Sequence, residues 1–253
     1  MKKIPVGLQL WSVRMESEKD FPGTVKKIAQ MGYEGVEFAG YYKMGAKDLR
    51  KMLDDLGMKC FGTHTGINTL EGEEFQKTVD FNLAIGNKYL IVPGLPDNMR
   101  DSKESWIKTA QLFNALAKKL APFGLRVGYH NHHTEFIPLD GEKPWDIFFR
   151  NTDKSVVMQI DTGNAMMGGE DPIALLKPYP GRTATVHMKE YSKAKEEILI
   201  GEGDVPWNAL FDLCETTAAT EYYIVEQENY PYPPLESVKR SLEGLKGLLA
   251  KRR

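Results

Sequence analysis

Short apolar runs rich in β-branched and aromatic residues alternate with longer amphipathic stretches along the chain. Such short runs are typical of β-strands that are buried between neighbouring strands and a covering layer of helices. We predict eight strands, at residues 6–10, 35–39, 59–63, 89–93, 126–130, 156–161, 184–188 and 222–227. The stretches between them are long enough for helices, so the chain follows a β/α alternation throughout.

The amphipathic stretches also carry signals that end helices. In SWIKTAQLFNALAKKLAPFG, apolar residues fall near helical spacing before Gly124 interrupts the pattern: Trp106, Leu112, Leu116 and Leu120. Glycine also precedes a strand in QMGYEGVEF, DLGMKCFG and AIGNKYLIV. Because glycine adopts the left-handed conformation that ends many helices, each segment predicts a helix that passes directly into a strand.

Eight strand–helix units in 253 residues predict an α/β fold, a single (β/α)₈ TIM barrel. The main competitor is a doubly wound open sheet, which usually carries a glycine-rich dinucleotide turn after its first strand. The segment LQLWSVRMES has no such turn. No linker or low-complexity segment interrupts the alternation, so we predict one domain over residues 1–253 with its active site at the C-terminal mouth.

Composition excludes several classes of partner. The chain is 42% apolar and 27% charged with a net charge of −2, and its basic residues are scattered, so we expect no nucleic-acid partner. No apolar run approaches the roughly 20 residues that span a bilayer, so we expect no membrane segment. The opening MKKIPVGLQLW lacks a signal-peptide pattern, which makes a cytoplasmic location the expectation. Cys60 and Cys214 are interpreted as buried apolar residues.

Polar residues recur at the same end of the predicted strands. Because side chains alternate along a strand, every second residue points into the barrel. The residues to which this parity assigns an inward or mouth-facing position are Gln9, Trp11, Glu37, His64, His130, Gln159, Asp161, Thr185, His187, Lys189, Glu226 and Glu228. So many ionisable groups in one enclosed mouth are costly unless they pair with each other or coordinate a cation.

A divalent metal site satisfies these groups together. Asp161, His187 and Glu226, with Glu135 after the fifth strand, form a set of three oxygen ligands and one nitrogen ligand. This mixture suits Mn²⁺, Mg²⁺, Co²⁺ or Zn²⁺ better than a thiolate site would. Taken singly, Asp161 could cap a turn and His187 could be a hydrogen-bonded core histidine. Their common position at one mouth favours the metal site.

The segments YHNHHTEF, IDTGN, VHMKE and YYIVEQE occur in this order at the ends of the fifth to eighth strands. The ordered set resembles the xylose isomerase-like sugar isomerase and epimerase barrels, which include ketose 3-epimerases, inosose dehydratases and related keto-sugar lyases. The segment LIGEGDVPW after the seventh strand is similar to a loop of the same barrels. The resemblance covers the whole chain.

The resemblance implies four metal ligands, which are Glu135, Asp161, His187 and Glu226. It also implies that Glu135 and Glu226 act as acid and base on opposite sides of the substrate. Two departures separate the chain from the epimerase members. Asn164 stands where those members usually have histidine, and Lys189 is present with no arginine after the seventh strand. The H-x-K motif followed by an acid resembles the inosose dehydratase side of the group instead.

The chemistry implied is proton abstraction next to a carbonyl. A divalent metal stabilises the developing enediolate, a glutamate removes the proton, and Lys189 and His64 polarise or protonate substrate oxygens. We expect a metal-dependent isomerase or epimerase acting on a ketose or keto-polyol. The alternatives are a metal-dependent lyase or dehydratase of an inosose or 3-keto-glycoside, an abasic-site endonuclease of the same superfamily, and a non-catalytic sugar-binding barrel.

Further residues of the mouth are candidates for contact with a sugar. The predicted substrate-binding residues are Gln9, Trp11, Glu37, His64, His130, His132 and Asn164. For Trp11 and His130 the alternatives are a barrel plug and a core histidine. The glycines of GEGD, Gly201 and Gly203, are too weak a signal to predict a phosphate site. A homo-oligomer is compatible with the sequence, which identifies no interface.

Overall fold

A closed barrel of eight parallel strands occupies the centre of the computed structural model, which describes residues 3–252. The strands are β1 Val6–Gln9, β2 Gly35–Phe38, β3 Lys59–His64, β4 Tyr89–Val92, β5 Arg126–His130, β6 Val157–Asp161, β7 Thr185–Met188 and β8 Tyr222–Val225. Each strand pairs with its sequence neighbours, and β1 pairs with β8 to close the sheet. The predicted (β/α)₈ barrel is confirmed.

Helices and short helical turns connect the strands and cover the barrel. The α-helices are α1 Arg14–Lys19, α2 Phe21–Met31, α3 Ala46–Asp55, α4 Glu74–Ala84, α5 Lys103–Leu120, α6 Pro144–Arg150, α7 Thr162–Met167, α8 Pro172–Leu176, α9 Trp207–Glu215 and α10 Pro234–Ala250. The 3₁₀ helices are Leu10–Val13, Ile67–Thr69, Asp97–Met99, Ala121–Phe123 and His133–Phe136. No helix in residues 3–252 is long and apolar enough to cross a membrane.

The strand positions follow the predicted pattern closely, with ends that differ by one or two residues. The four glycines predicted to end helices all have a positive φ, at Gly32, Gly57, Gly86 and Gly124. These helix ends are confirmed, and so is the burial of both cysteines, which are free. The termini of the predicted 1–253 domain, Met1, Lys2 and Arg253, lie outside the described residues, and the single domain stays a prediction.

The lower barrel interior is filled by aromatic side chains. The ring of Phe61 stacks on Tyr222 with centroids 4.0 Å apart, and Tyr89 packs edge-on against Tyr222. Gly7 and Gly35 provide the space for Phe61, since a Cβ on either would lie within 2.6 Å of its ring. The polar residues therefore occupy only the upper interior, near the C-terminal ends of the strands.

We expect Gly35→Ala to destabilise the barrel by about 1–3 kcal/mol through overpacking. An added Cβ at Gly35 would lie 2.6 Å from both the Lys59 carbonyl oxygen and the Phe61 ring, and the backbone carbonyl cannot move aside cheaply. Urea unfolding of the variant would measure the loss. Gly45→Ala is the matched control, because its nearest neighbour, Asp48, is 3.9 Å away. Equal stability of both variants would contradict the packing account.

Candidate active site

Four side chains converge at the C-terminal ends of β5 to β8. His130 and Asp161 end β5 and β6, His187 lies on β7, and Glu226 directly follows β8. One nitrogen or oxygen atom of each side chain lies within 4.8 Å of those of the other three, and all four residues are buried. Two imidazoles and two carboxylates form a donor set that fits a divalent cation. We call these residues the four-ligand group.

Asp161 provides a separate indication that the group fits a cation. Its Oδ1 caps α7 by accepting the Asn164 N–H at 2.6 Å, whereas its Oδ2 is buried and has no hydrogen-bond partner within residues 3–252. Burial raises the pKa of this carboxyl to about 8, even though the nearby charge of Lys189 opposes the shift. A buried carboxylate oxygen without a partner is costly, and a cation would satisfy it.

His187 lies between two carboxylates. Its Nδ1 is 2.6 Å from Glu226 Oε2, and its Nε2 is 2.5 Å from Glu37 Oε2. Burial lowers the pKa of His187, but the two glutamates outweigh burial and raise the pKa to about 10. The surroundings of this ring therefore favour positive charge. Because Nε2 faces Glu37, Nδ1 is the nitrogen that faces the other members of the four-ligand group.

A polar layer lies directly below the four-ligand group. Gln9 Nε2 donates to Glu37 Oε2 at 2.7 Å, and Gln159 Nε2 donates to Glu37 Oε1 at 2.8 Å. Gln9 and Glu37 have no exposed surface, so the structure does not bring these two predicted substrate-binding residues to the mouth. Their inward parity is as predicted, but both side chains are buried in the barrel, where they hydrogen-bond to each other and Glu37 contacts His187.

Glu135 lies apart from the four-ligand group. Strand β5 ends at His130, and the following 3₁₀ helix turns the Glu135 carboxylate toward Tyr129 on the outer face of the strand. Its Oε1 accepts from the Tyr129 hydroxyl at 2.9 Å, and its Oε2 accepts from the His132 N–H at 2.7 Å. Glu135 was predicted as the fourth ligand beside Asp161, His187 and Glu226. In the structure His130 occupies that place. The resulting donor set has two nitrogens and two oxygens rather than one and three.

We expect Glu135→Gln to lower stability by about 1–3 kcal/mol, because a buried donor loses its acceptor. The same variant should bind zinc as tightly as the unchanged protein, since the carboxylate faces Tyr129 and the His132 backbone. Thermal unfolding and competition with a chromogenic zinc chelator measure the two quantities. If Glu135→Gln lowers zinc affinity as much as an Asp161 variant does, Glu135 is a metal ligand and this prediction is wrong.

The mouth above the group is a cavity of about 570 Å³. The polar and aromatic residues that line it are Trp11, His64, His130, His132, Glu226 and Glu228. Trp11 is 44% exposed, and the Arg14 guanidinium lies 4.6 Å from its ring centroid, so the indole forms an open aromatic wall. Of the predicted substrate-binding residues, the structure brings Trp11, His64, His130 and His132 together at this cavity.

Lys189 forms the charged side of the site. Its ammonium group donates to Glu228 and, at 3.0 Å, to Asn164 Oδ1. Burial lowers the pKa of Lys189, but the carboxylates of Asp161, Glu226 and Glu228 outweigh burial and hold the pKa above its ordinary value. The amine is therefore protonated at neutral pH. Asn164 is buried, and its amide orients Lys189 instead of lining the mouth.

His132, unlike Lys189, has surroundings that favour the neutral form of its side chain. Its backbone N–H is held by Glu135, and its ring packs edge-on against His130 with centroids 5.1 Å apart. Burial lowers the pKa of His132, although the neighbouring glutamates oppose the shift. The imidazole is therefore neutral at neutral pH and can accept a proton. Glu135, which was predicted as a base, accepts the backbone N–H of His132, and His132 lines the mouth.

Glu190 organises the loop that follows β7. Its Oε1 accepts the backbone N–H groups of Tyr191 and Val205, and its Oε2 accepts the Gly201 N–H at 2.7 Å and the Trp207 indole N–H at 2.8 Å. Four donors on one carboxylate account for all of its strong acceptor positions. The N–H of Gly201 in GEGD is therefore directed at the protein's own carboxylate rather than at an external anion.

The barrel fold is also found in known proteins. Residues 25–248 match the family described as the xylose isomerase-like TIM barrel. The chain belongs to this family. An inosose dehydratase from Clostridium botulinum (strain Alaska E43 / Type E3) is 25% identical over 252 residues, which cover 85% of this chain and 84% of the relative. An inosose dehydratase from Bacillus thuringiensis (strain Al Hakam) is 25% identical over 255 residues, with the same coverage.

Solved structures show the same fold. A sugar phosphate isomerase/epimerase from Parabacteroides distasonis ATCC 8503 superposes with a TM-score of 0.82 at 24% identity, covering 95% of this chain and 97% of that one. The IOLI protein, solved with a bound zinc atom, has a TM-score of 0.73 at 12% identity and covers 98% and 99%. The family resemblance drawn from the four ordered segments is confirmed.

Proposed function

We propose that this protein is a divalent-metal-dependent enzyme that removes a proton next to the carbonyl of a keto-sugar or keto-polyol and eliminates the neighbouring hydroxyl. The observation that carries the proposal is the four-ligand group at the base of the mouth, in which one buried oxygen of Asp161 accepts no hydrogen bond within residues 3–252. A divalent cation held there would supply Lewis-acid polarisation of a carbonyl oxygen. The zinc atom of the IOLI neighbour supports a metal in this fold.

The mouth supports a polyhydroxylated substrate. Its imidazoles and carboxylates can exchange hydrogen bonds with hydroxyl groups, and the exposed indole of Trp11 can pack against the C–H face of a sugar ring. The family and its named sugar-processing members support a small carbohydrate. The inosose dehydratases among the relatives support a cyclic keto-polyol as the first substrate to test.

Two side chains carry the proposed proton transfers. Burial raises the pKa of Glu226, but His187 and Lys189 outweigh burial and hold it well below its ordinary value, so Glu226 is ionised and can accept the proton next to the carbonyl. Lys189 is protonated and can give a proton to the departing hydroxyl. Glu135, the second proton carrier that the epimerase resemblance implied, accepts from Tyr129 and the His132 N–H and is not among the residues that line the mouth, which favours elimination.

Mass-neutral epimerisation or isomerisation is the second candidate. His132 lines the mouth, and its neutral imidazole could exchange a proton with the substrate in place of the missing glutamate. The similarity to the Parabacteroides sugar phosphate isomerase/epimerase supports this alternative. Both candidates share the first proton transfer and differ only in whether a hydroxyl leaves.

The test combines metal analysis with product analysis in D₂O. The purified protein, loaded with Mn²⁺, Co²⁺ or Zn²⁺ in turn, is incubated with inososes and ketoses and followed by mass spectrometry and NMR. The proposal expects deuterium at the carbon next to the carbonyl and loss of one water. Deuterium without loss of water indicates the epimerase candidate. Failure to bind any divalent metal would reject both, and Glu226→Gln should abolish the exchange.

A further inference from the structure

A chain of buried side chains lies directly beneath the four-ligand group, and we propose that it sets which nitrogen of His130 is left for the metal. We call Gln9, Glu37 and Gln159 the orientation relay. All three side chains are fully buried. The proposal rests on the proposed function only in assuming that the four-ligand group holds a metal, and it assigns these residues a positioning role.

The orientation relay begins at a backbone amide. The N–H of Trp11 donates to Gln9 Oε1 at 3.1 Å. Because a backbone N–H can only donate, this contact determines which end of the Gln9 amide is oxygen. The nitrogen end therefore faces Glu37, and Gln9 Nε2 donates to Glu37 Oε2 at 2.7 Å.

Glu37 transmits the orientation to the next amide. Its carboxylate receives the N–H groups of both amides, Gln9 on Oε2 and Gln159 on Oε1, so it acts as the acceptor between them. Its Oε1 receives Gln159 Nε2 at 2.8 Å, and Gln159 Nε2 also donates to the Thr185 hydroxyl at 2.9 Å. The oxygen of the Gln159 amide therefore faces the opposite way, toward the histidines.

The oxygen of the Gln159 amide now determines which nitrogen of His130 is protonated, and Glu37 accepts from the neighbouring histidines. Gln159 Oε1 is 3.0 Å from His130 Nδ1 and 3.3 Å from His64 Nε2. Glu37 Oε2 is 2.5 Å from His187 Nε2 and 3.2 Å from His64 Nε2. An amide oxygen or a carboxylate oxygen can only accept, so each of these ring nitrogens carries the hydrogen. On His130 this leaves Nε2 for a metal, whereas both ring nitrogens of His187 face carboxylates.

This arrangement has an energetic consequence for metal binding. A free imidazole divides its population between two tautomers, and a ligand must be in the right one to donate its lone pair. Partners beyond the ligands that hold the ring and its tautomer are worth about 10- to 100-fold in metal affinity. The orientation relay makes that choice before the metal arrives.

The first test reads the tautomer of His130 in the metal-free protein. The ring of His130 is buried, and its Nδ1 lies 3.0 Å from Gln159 Oε1. Long-range ¹H–¹⁵N correlation of the histidine rings distinguishes the two nitrogens. A hydrogen on Nδ1 is the expected result, and a hydrogen on Nε2 would overturn the proposal.

The second test compares two variants of the same network. Gln159→Met removes the acceptor facing His130, so the ring should shift toward the Nε2–H tautomer and zinc affinity should fall by about 10- to 100-fold. Thr185→Val is the control, because it removes one acceptor of Gln159 while Glu37 still orients the amide. It should leave both the tautomer and zinc affinity unchanged. An unchanged tautomer in Gln159→Met, or an equal shift in both variants, would contradict the orientation relay.

These measurements separate the relay from the reaction. If Gln159→Met does not fold, the spectrum of the unchanged metal-free protein still decides the proposal. A correct His130 tautomer in a zinc-binding protein that transforms no keto-sugar would reject the proposed reaction and leave the relay standing. The opposite tautomer in an active enzyme would reject the relay alone.

Discussion

Asp161→Asn should abolish tight metal binding without unfolding the protein. Four-ligand protein sites gain on the order of 10–16 kcal/mol from a structural zinc ion, and one ligand contributes roughly a quarter of that, so the dissociation constant for zinc should rise by about 10²-fold or more. The asparagine oxygen can still accept the Asn164 N–H that caps α7. Competition with a chromogenic chelator measures the change.

The stability of metal-free Asp161→Asn is a second measurement, and it should not fall although zinc affinity does. The Asp161 carboxyl is fully buried with an unpaired Oδ2, so replacing it by an uncharged amide should leave the metal-free protein at least as stable as before. Thermal unfolding in the presence of a chelator measures this. Asp171→Asn is the matched control, because Asp171 caps α8 in the same way but belongs to no ligand group. A variant that keeps its zinc would remove Asp161 from the site.

Lys189→Met should separate the two proposed proton transfers. Without the ammonium group that donates to Glu228, elimination should slow by about 10²- to 10⁴-fold, the usual contribution of one general acid. Exchange of the substrate proton with D₂O should continue, because Glu226 remains ionised next to His187. Product formation and deuterium uptake, measured in the same reaction, give the ratio of the two steps.

The charge left behind in this variant is tolerable. The Glu228 side chain is 35% exposed, so water can solvate the carboxylate that loses its partner. Lys193→Met, in the exposed part of the loop after β7, controls for loss of a lysine near the mouth. If exchange and elimination fall together in Lys189→Met, the ammonium group binds or polarises the substrate, and another group must protonate the departing hydroxyl.

Local pattern was sufficient to predict the barrel. A strand in this fold is a short apolar run with alternating sides, so both the β/α alternation and the inward direction of Gln9, Glu37, Gln159 and His187 follow from adjacent residues. Closure of the sheet then brings the C-terminal strand ends to one mouth whatever their separation in sequence. That is why Asp161, His187 and Glu226 were correctly expected to lie together.

Depth and strand ends could not be predicted in this way. Parity assigns a side but not a height, so Gln9 and Glu37 were expected in the mouth although they lie beneath it. Glu135 depends on where β5 stops, because one 3₁₀ turn after His130 directs its carboxylate to the outer face of the strand. Glu228 shared the parity of Glu226, and only the structure showed that it pairs with Lys189 at the mouth.

The four hydrogen bonds to Glu190 have a consequence for how this barrel can diversify. They hold both ends of the loop after β7 on a single carboxylate. Residues 192–197 lie between these two ends, and all of them except the half-buried Ser192 are exposed. Insertions or substitutions in such a surface loop add little strain to the strands below. New substrate contacts could therefore be grafted above the mouth at residues 192–197 while Glu190 holds the loop's ends and the scaffold beneath stays unaltered.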